Sequence, residues 1–400
     1  LRDDYEQTET LTLSEAQASS MVDVHARLLD SLEAGRRLDR ELEALPSGEE
    51  LAERKQNDRG LTRPELSVVL AYSKNDLFAE LLDSDVPEDS HLSSELNRYF
   101  PNPLPERFGE QMRSHRLRRE IIATQVANNV LHGGGTTFTF RLHEETGAYA
   151  SEIARAYATA RDIFEMRRGW ADIEALDNLV AAEVQISMLL EGRRLIERGS
   201  RWLLRNVSRP IDIGATVTRF APGAAVLFQA APRLLGGGDL EPLRARAERL
   251  KSAGVPDDIA DRVALLPVMF AVFDVVEVSD EAGIDVEEVA AVHFRLGERL
   301  GLHWLRDRIV ALPRDDRWRA LARAALRDDI YGLHRALTAQ VLRSEDSAGD
   351  VEARVEGWIE RNPAAGRTEK TLAEIRVGNV FDTTTLPVAV REVRNLLLAS

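Results

Sequence analysis

The sequence predicts an all-α protein, a multi-helix array of two or three packed helical subdomains with little or no β-structure. Three observations predict it: no proline lies between Pro105 and Pro210, helix-start signals recur, and apolar residues step by three and four. Ala, Leu, Arg and Glu dominate that proline-free stretch, and they lose little entropy in a helix and keep every backbone donor.

In chain order, Ser47–Glu50 and Thr62–Glu65 have the capping-box spacing, in which each side chain satisfies a free backbone N–H. Pro64 falls in the first turn of the second, where proline is tolerated. Pro105 is expected to open one helix running from Glu106 through Leu131, stopped at Gly133-Gly134-Gly135, because glycine accepts the left-handed conformation of a helix end. Thr136 to Phe140 alternates like a strand, but over five residues only. Ile153, Tyr157, Ala160 and Phe164 form one apolar stripe, and Val289, Val292, Leu296 and Leu300 another. Pro267, inside an apolar run, should kink its helix. Pro, Gly, Asp and Ser cluster at 83–105, 206–242 and 343–371, which marks loops or seams. The expected organisation is a helical linker over 1–60, a first helical subdomain over 61–205, a Pro/Gly-interrupted connection over 206–258 and a second helical subdomain over 259–400.

There is also an internal echo. Gly147, Glu152, Ile153 and Ala154 return as Gly283, Glu288, Val289 and Ala290, and Ile173 and Leu176 as Ile309 and Leu312, all at an offset of 136. Duplicated helical hairpins and chance likeness between amphipathic helices both account for it.

Four hundred residues exceed what one hydrophobic core sustains, hence the expected subdomains. A net charge of −15 speaks against nucleic acid and anionic membranes as partners, and no apolar run is long enough to span a bilayer. Zero cysteines exclude disulfides, thiolate ligands and cysteine nucleophiles, making a cytoplasmic location the expectation. The chain starts at Leu1 without methionine or a signal peptide, as expected of a piece of something longer.

Motifs for chemistry are sparse. His132-Gly133-Gly134-Gly135 matches the oxyanion element of some esterases, yet no G-x-S-x-G elbow accompanies it, and a glycine-terminated helix explains it better. Gly236-Gly237-Gly238 before Asp239 lacks a dinucleotide or P-loop spacing and reads as a loop before a helix capped at Asp239. His143-Glu144-Glu145 does not continue to H-E-x-x-H, and the only lysines, Lys55, Lys74, Lys251 and Lys370, have ordinary surroundings. No catalytic, cofactor-binding or metal-binding residue emerges.

What remains are polar residues for structure or docking. Arg113, His115, Arg116, Arg118 and Arg119 are the densest positive charge, either a helix face paired with surplus carboxylates or a dock for an acidic surface or a phosphate. Gln125, Asn128 and Asn129 interrupt an apolar helical run and are expected to tie it to a neighbouring loop. Glu191, Arg193 and Arg194 precede Trp202 on one helix, where arginine's planar fork suits a helix crossing.

Residues 60–87 (GLTRPELSVVLAYSKNDLFAELLDSDVP), 99–108 (YFPNPLPERF), 115–148 (HRLRREIIATQVANNVLHGGGTTFTFRLHEETGA) and 154–166 (ARAYATARDIFEM) resemble the segment that follows the catalytic domain in the large bacterial NAD-specific glutamate dehydrogenases. The shorter GVPDDIADRVALL, RLGERLGLHWL and LHRALTAQVL are similar to that family too, while 206–250 and 343–380 match weakly. The resemblance implies an enzyme that oxidatively deaminates L-glutamate to 2-oxoglutarate and ammonium with NAD. It further implies N-terminal ACT-like modules, a Rossmann-containing catalytic domain, a helical C-terminal region and a homo-oligomer. Residues 1–60 then lead away from the catalytic domain. The catalytic lysine, aspartate and dinucleotide loop belong to that middle domain, and no position here matches them.

Three functions follow in order of support. The chain is a non-catalytic helical region that packs on the upstream catalytic domain and supports assembly or regulation; or it binds a small effector through the 113–119 cluster; or, remotely, it is an independent hydrolase using His132.

Overall fold

A computed structural model describes residues 2–344 and 350–399, and these form twenty-one α-helices with short 3-10 turns and, among the described residues, no strand. The all-α expectation holds. The chain divides into two compact units, residues 1–219 and 220–400.

The first unit contains α1 (Arg2–Ala16), α2 (Val22–Ala34), α3 (Gly48–Gln56), α4 (Arg63–Leu82), the short α5 (Leu96–Tyr99), α6 (Leu104–Arg113), α7 (Arg118–Gly134), α8 (Phe138–Thr146), α9 (Ala150–Ile163), α10 (Met166–Glu174) and α11 (Ala182–Asn206). Helix α12 (Ile213–Leu234) runs across the division. The second unit continues with α13 (Gly237–Ser252), α14 (Asp257–Met269), α15 (Val272–Ala282), α16 (Val286–Leu300), α17 (Leu302–Val310), α18 (Arg317–Arg343), α19 (Val351–Arg361), α20 (Ala365–Gly378) and α21 (Thr385–Leu398).

Local signals act where the sequence placed them. Glu50 accepts from the Ser47 N–H at 2.7 Å and Glu65 from the Thr62 N–H at 2.7 Å, fixing the starts of α3 and α4. Helix α7 runs into the glycines and ends at Gly135, whose φ is +96°. Both apolar stripes are buried, the first on α9 against α11 and the second on α16 against α18. Burying each such side chain contributes about 1.5–3 kcal/mol, which outweighs single weak positions within a helix.

Other expectations fail for physical reasons. The helix expected from Glu106 through Leu131 is broken: α6 stops at Arg113, α7 starts at Arg118, and Phe108 takes a non-helical φ of −128°. The strand-like Thr136–Phe140 instead opens α8, because Phe138 and Leu142, one turn apart, are both fully buried. Two alternating residues cannot separate period two from period four. Asp239 does not cap α13; Gly236 occupies that position and Asp239 lies in the first turn. The 206–242 stretch is not mainly loop. Helix α12 carries Pro222 and Pro232 inside it, and Phe220, Ala224, Leu227 and Ala231 form a buried stripe. Each internal proline costs roughly 3 kcal/mol, less than burying that stripe returns. Likewise α19 and α20 occupy much of 343–371, while 83–105 does consist of 3-10 turns and the short α5. Residues 345–349 of the expected third seam lie outside the described residues.

Candidate functional site

Two polar regions of the first unit can interact with something: an exposed basic ridge and a buried polar centre. The ridge lies on α6, the turn after it and the start of α7. Arg113, His115, Arg116 and Arg119 are exposed and Arg118 is half-buried. Of these arginines, Arg119 alone is fastened among the described residues. Its guanidinium pairs with Glu88 and donates to the carbonyl of Leu82 at 2.7 Å and of Ser84 at 3.3 Å, satisfying the free C-terminal end of α4. Arg113, Arg116 and Arg118 have no ion-pair partner among the described residues. Asn128 and Asn129 are half-buried on α7, and neither makes a side-chain hydrogen bond to a described residue.

The buried centre forms where α1, α7, α9 and α11 converge behind the glycine turn. Glycine is required there by close approach. An ideal Cβ at Gly133 would stand 2.1 Å from the Tyr157 hydroxyl and 2.7 Å from Trp170. One at Gly192 of α11 would stand 2.7 Å from Met166 and 3.0 Å from the Trp170 indole nitrogen. Arg193, the next residue, is buried and donates to the His132 carbonyl at 2.6 Å and, more weakly, to the Thr10 hydroxyl at 3.4 Å. It thereby holds α11 to the C-terminal end of α7. Burial lowers its guanidinium to about 10.

His132 Nδ1 stands 3.1 Å from the Glu6 carboxylate, and Nε2 is buried without a partner among the described residues. Burial lowers this imidazole, and Glu6 only partly restores it. The ring is therefore a neutral Nδ1–H donor to Glu6. Glu9, one turn further along α1, is half-buried; burial and then the Glu174 charge push it up to about 7 against the pull of Arg193. Tyr157, fully packed, is pushed up to about 12 by burial.

Around this centre, arginines buried beside carboxylates clamp the helices. Arg201 of α11 donates to Glu145 and, at 2.9 Å, to Glu197, and Glu197 also accepts from Arg141 of α8 at 2.5 Å. Burial alone would lower the Arg201 guanidinium, but Glu145 and Glu197 together raise it. Burial would raise Glu197, and Arg141 and Arg201 hold it well below the carboxylate range. Arg161 of α9 binds Asp162 at 2.6 Å and Glu95 at 3.3 Å; Arg155 binds Asp89 at 3.0 Å. Asp162 stays ionised because hydrogen bonds from His91 and Arg161 overcome its burial. Of the other polar residues the sequence marked, Arg194 bonds Glu191 one turn back along α11 and is itself exposed. Arg193 crosses between helices.

The chemistry available is that of fastening. Among the described residues no group of three or more His, Asp or Glu could hold a metal ion, and no described helix is long and apolar enough to cross a membrane. At the glycine turn beside His132, Tyr157 and Trp170 fill the space against Gly133.

The sequence model of the family described as "Glutamate dehydrogenase, C-terminal" matches residues 58–395. The chain belongs to this family. Similar proteins are the NAD-specific glutamate dehydrogenases of Pseudomonas aeruginosa, 41% identical over all of this chain, of Halomonas elongata, 39% identical over 99% of it, and of Mycobacterium tuberculosis, 37% identical over all of it. The chain spans 25% of the length of each of these relatives. For a glutamate dehydrogenase C-terminal region, the telling residues are Glu9, Arg155, Tyr157, Arg161, Glu197 and Arg201, which motif reading passed over. One signal was available: Arg155 and Arg161 interrupt the apolar ARAYATARDIF, where an arginine that must be buried needs a carboxylate elsewhere.

Proposed function

We propose that this chain is the non-catalytic helical C-terminal region of an NAD-specific glutamate dehydrogenase, packing on the upstream catalytic domain and supporting assembly or regulation. The activity of the longer enzyme is conversion of L-glutamate, NAD⁺ and water to 2-oxoglutarate, ammonium, NADH and a proton, with NAD bound by the catalytic domain and not by these residues. The same proposal carries a homo-oligomeric assembly and a cytoplasmic location. The supporting observation is the alignment of the whole chain, at 37–41% identity, with a quarter of each of three such enzymes. The buried arginine clamps favour a rigid scaffold, because they tie α8 to α11, and α9 to the turns at 89–95, across 56 to 66 residues of sequence.

Two assays test this. The 400-residue chain with glutamate and NAD⁺ should form no NADH, and removing it from the longer enzyme should lower activity or melting temperature. An enzyme indifferent to the deletion, or a chain that oxidises glutamate alone, overturns the proposal.

A further inference from the structure

Between residues 97 and 119 the chain has six arginines and two glutamates, against a net charge of −15 for the whole. The same stretch exposes large apolar side chains: Tyr99 at 49%, Leu104 at 36%, Phe108 at 44% and Leu117 at 55%. Ring contacts join its parts. Tyr99 meets Phe100 edge-on at 5.1 Å, and Phe100 meets His115 at 6.2 Å, so α5 and the turn before α7 form one surface. The Arg107 guanidinium lies 6.0 Å from the centre of the Phe108 ring. Arg119, held by Glu88 and the end of α4, anchors the ridge to the core.

A chain with surplus carboxylates offers arginines many partners, and the buried Arg155, Arg161 and Arg201 take them. Arg113, Arg116 and Arg118 take none among the described residues. Aromatic and arginine side chains together are the composition of an interface centre, and exposed apolar groups in contiguous array mark contact sites. The occupant should therefore be acidic at its rim and apolar at its middle. Three quarters of each relative lies outside the aligned chain.

The geometry points to the 97–119 ridge as the face on which the catalytic region of the longer polypeptide seats, through an acid-rimmed apolar hollow. This rests on the proposal that the chain belongs to a longer glutamate dehydrogenase. Apolar ridge residues enter the hollow, and Arg113, Arg116 and Arg118 meet carboxylates at its edge.

The chain has no cysteine, so Leu117→Cys introduces a single reporter at an exposed position, and Tyr99→Cys a second. Maleimide labelling of each is followed by peptide mass spectrometry in the 400-residue chain and in the longer enzyme. Labelling should be at least tenfold slower in the enzyme at both positions, and Arg113→Glu with Arg116→Glu should restore it to within about twofold of the chain's rate. Equal rates in chain and enzyme overturn the inference. So does slowing that survives the charge reversal, which makes the occupant non-acidic. So does slowing in the chain alone as its concentration rises, which makes the occupant a second copy. NADH formation by the enzyme is read separately, so loss of the dehydrogenase assignment and loss of the docking face are distinguishable.

Discussion

Helices α8, α9, α10 and α11 of the first unit and α15, α16, α17 and α18 of the second follow one plan. In each, a helix ends on a left-handed glycine with φ of +66°, Gly147 or Gly283, and the next begins three residues later. A medium helix, a short helix and a long helix follow, and the long one packs on the other three in both units. The paired positions Ile153 and Val289, Ile173 and Ile309, and Leu176 and Leu312 are all buried. The interiors nevertheless differ. Tyr157 and the charged Arg201 fill the first unit, whereas the residues 136 further on, His293 and Leu337, fill the second. His293 stacks on His334 at 3.6 Å, its Nδ1 lies 3.0 Å from the Thr338 hydroxyl, and His334 Nε2–H donates to the His293 carbonyl at 2.8 Å. One backbone plan thus tolerates Tyr157 and Arg201 in one unit and His293 and Leu337 at the matching places in the other, which shows that the arrangement is set by the stripes and glycine turns rather than by these side chains.

The largest effect is expected of Arg201→Ala. It leaves Glu145 and Glu197 short of their buried cation and should destabilise the first unit by roughly 3 kcal/mol. Leu337→Ala, at the matching place, should cost the second unit about the same through an unfilled cavity, on the order of 3 kcal/mol. Peptide-resolved hydrogen exchange in α11 and α18 measures each; an Arg201 variant of wild-type protection would dissolve the contrast.

Acid separates the interiors next. Burial holds His334 down to about 3 and His293 well below the ordinary 6.5, so both rings are neutral in the fold, whereas the unfolded chain takes up protons below that value. The stability of the second unit should fall as pH drops below 6.5, by up to about 1.4 kcal/mol per pH unit for each ring. His334→Phe should roughly halve the slope seen by urea unfolding between pH 6.5 and 5. In the first unit burial also lowers His25 to about 4 and lowers His132, but Glu9 opposes them. Its folded value of about 7 exceeds the ordinary 4.5, so its protonation adds stability as pH falls through that window. Glu9→Gln should accordingly stabilise the first unit by about 1–2 kcal/mol at pH 8 and not at pH 4.5. A flat difference between the two pH values would exonerate Glu9.

The smallest effect tests the shared plan. Ideal Cβ atoms at Gly147 and Gly283 meet nothing within 4 Å, so alanine at either suffers only the left-handed conformation. A cost of about 1 kcal/mol is expected in each unit, and unequal losses would argue against a common turn.

Much of this plan was legible in the sequence, because helix stripes, capping boxes and glycine stops are local. Ser47, Thr62 and Gly135 acted where their neighbours said they would. Proline misled at α12, where long-range burial of Phe220 and Leu227 outweighed a local penalty. The candidate site was the least legible part. Arg193 was marked as a crossing residue, yet its partner is a main-chain carbonyl 61 residues away, and no residue type announces a carbonyl. The Arg201–Glu145 and Arg161–Glu95 pairs likewise join residues that only the fold brings together.

The clamp of Arg141, Glu145, Glu197 and Arg201 also constrains descent. Any one-step replacement strands a charge beside a partner that was counting on it, and lysine cannot reproduce the two-pronged grip of Arg201 on two carboxylates. A lineage can leave the arrangement only by changing several codons nearly together, so the quartet should be inherited as a block, while the exposed Arg194 on the same helix drifts freely.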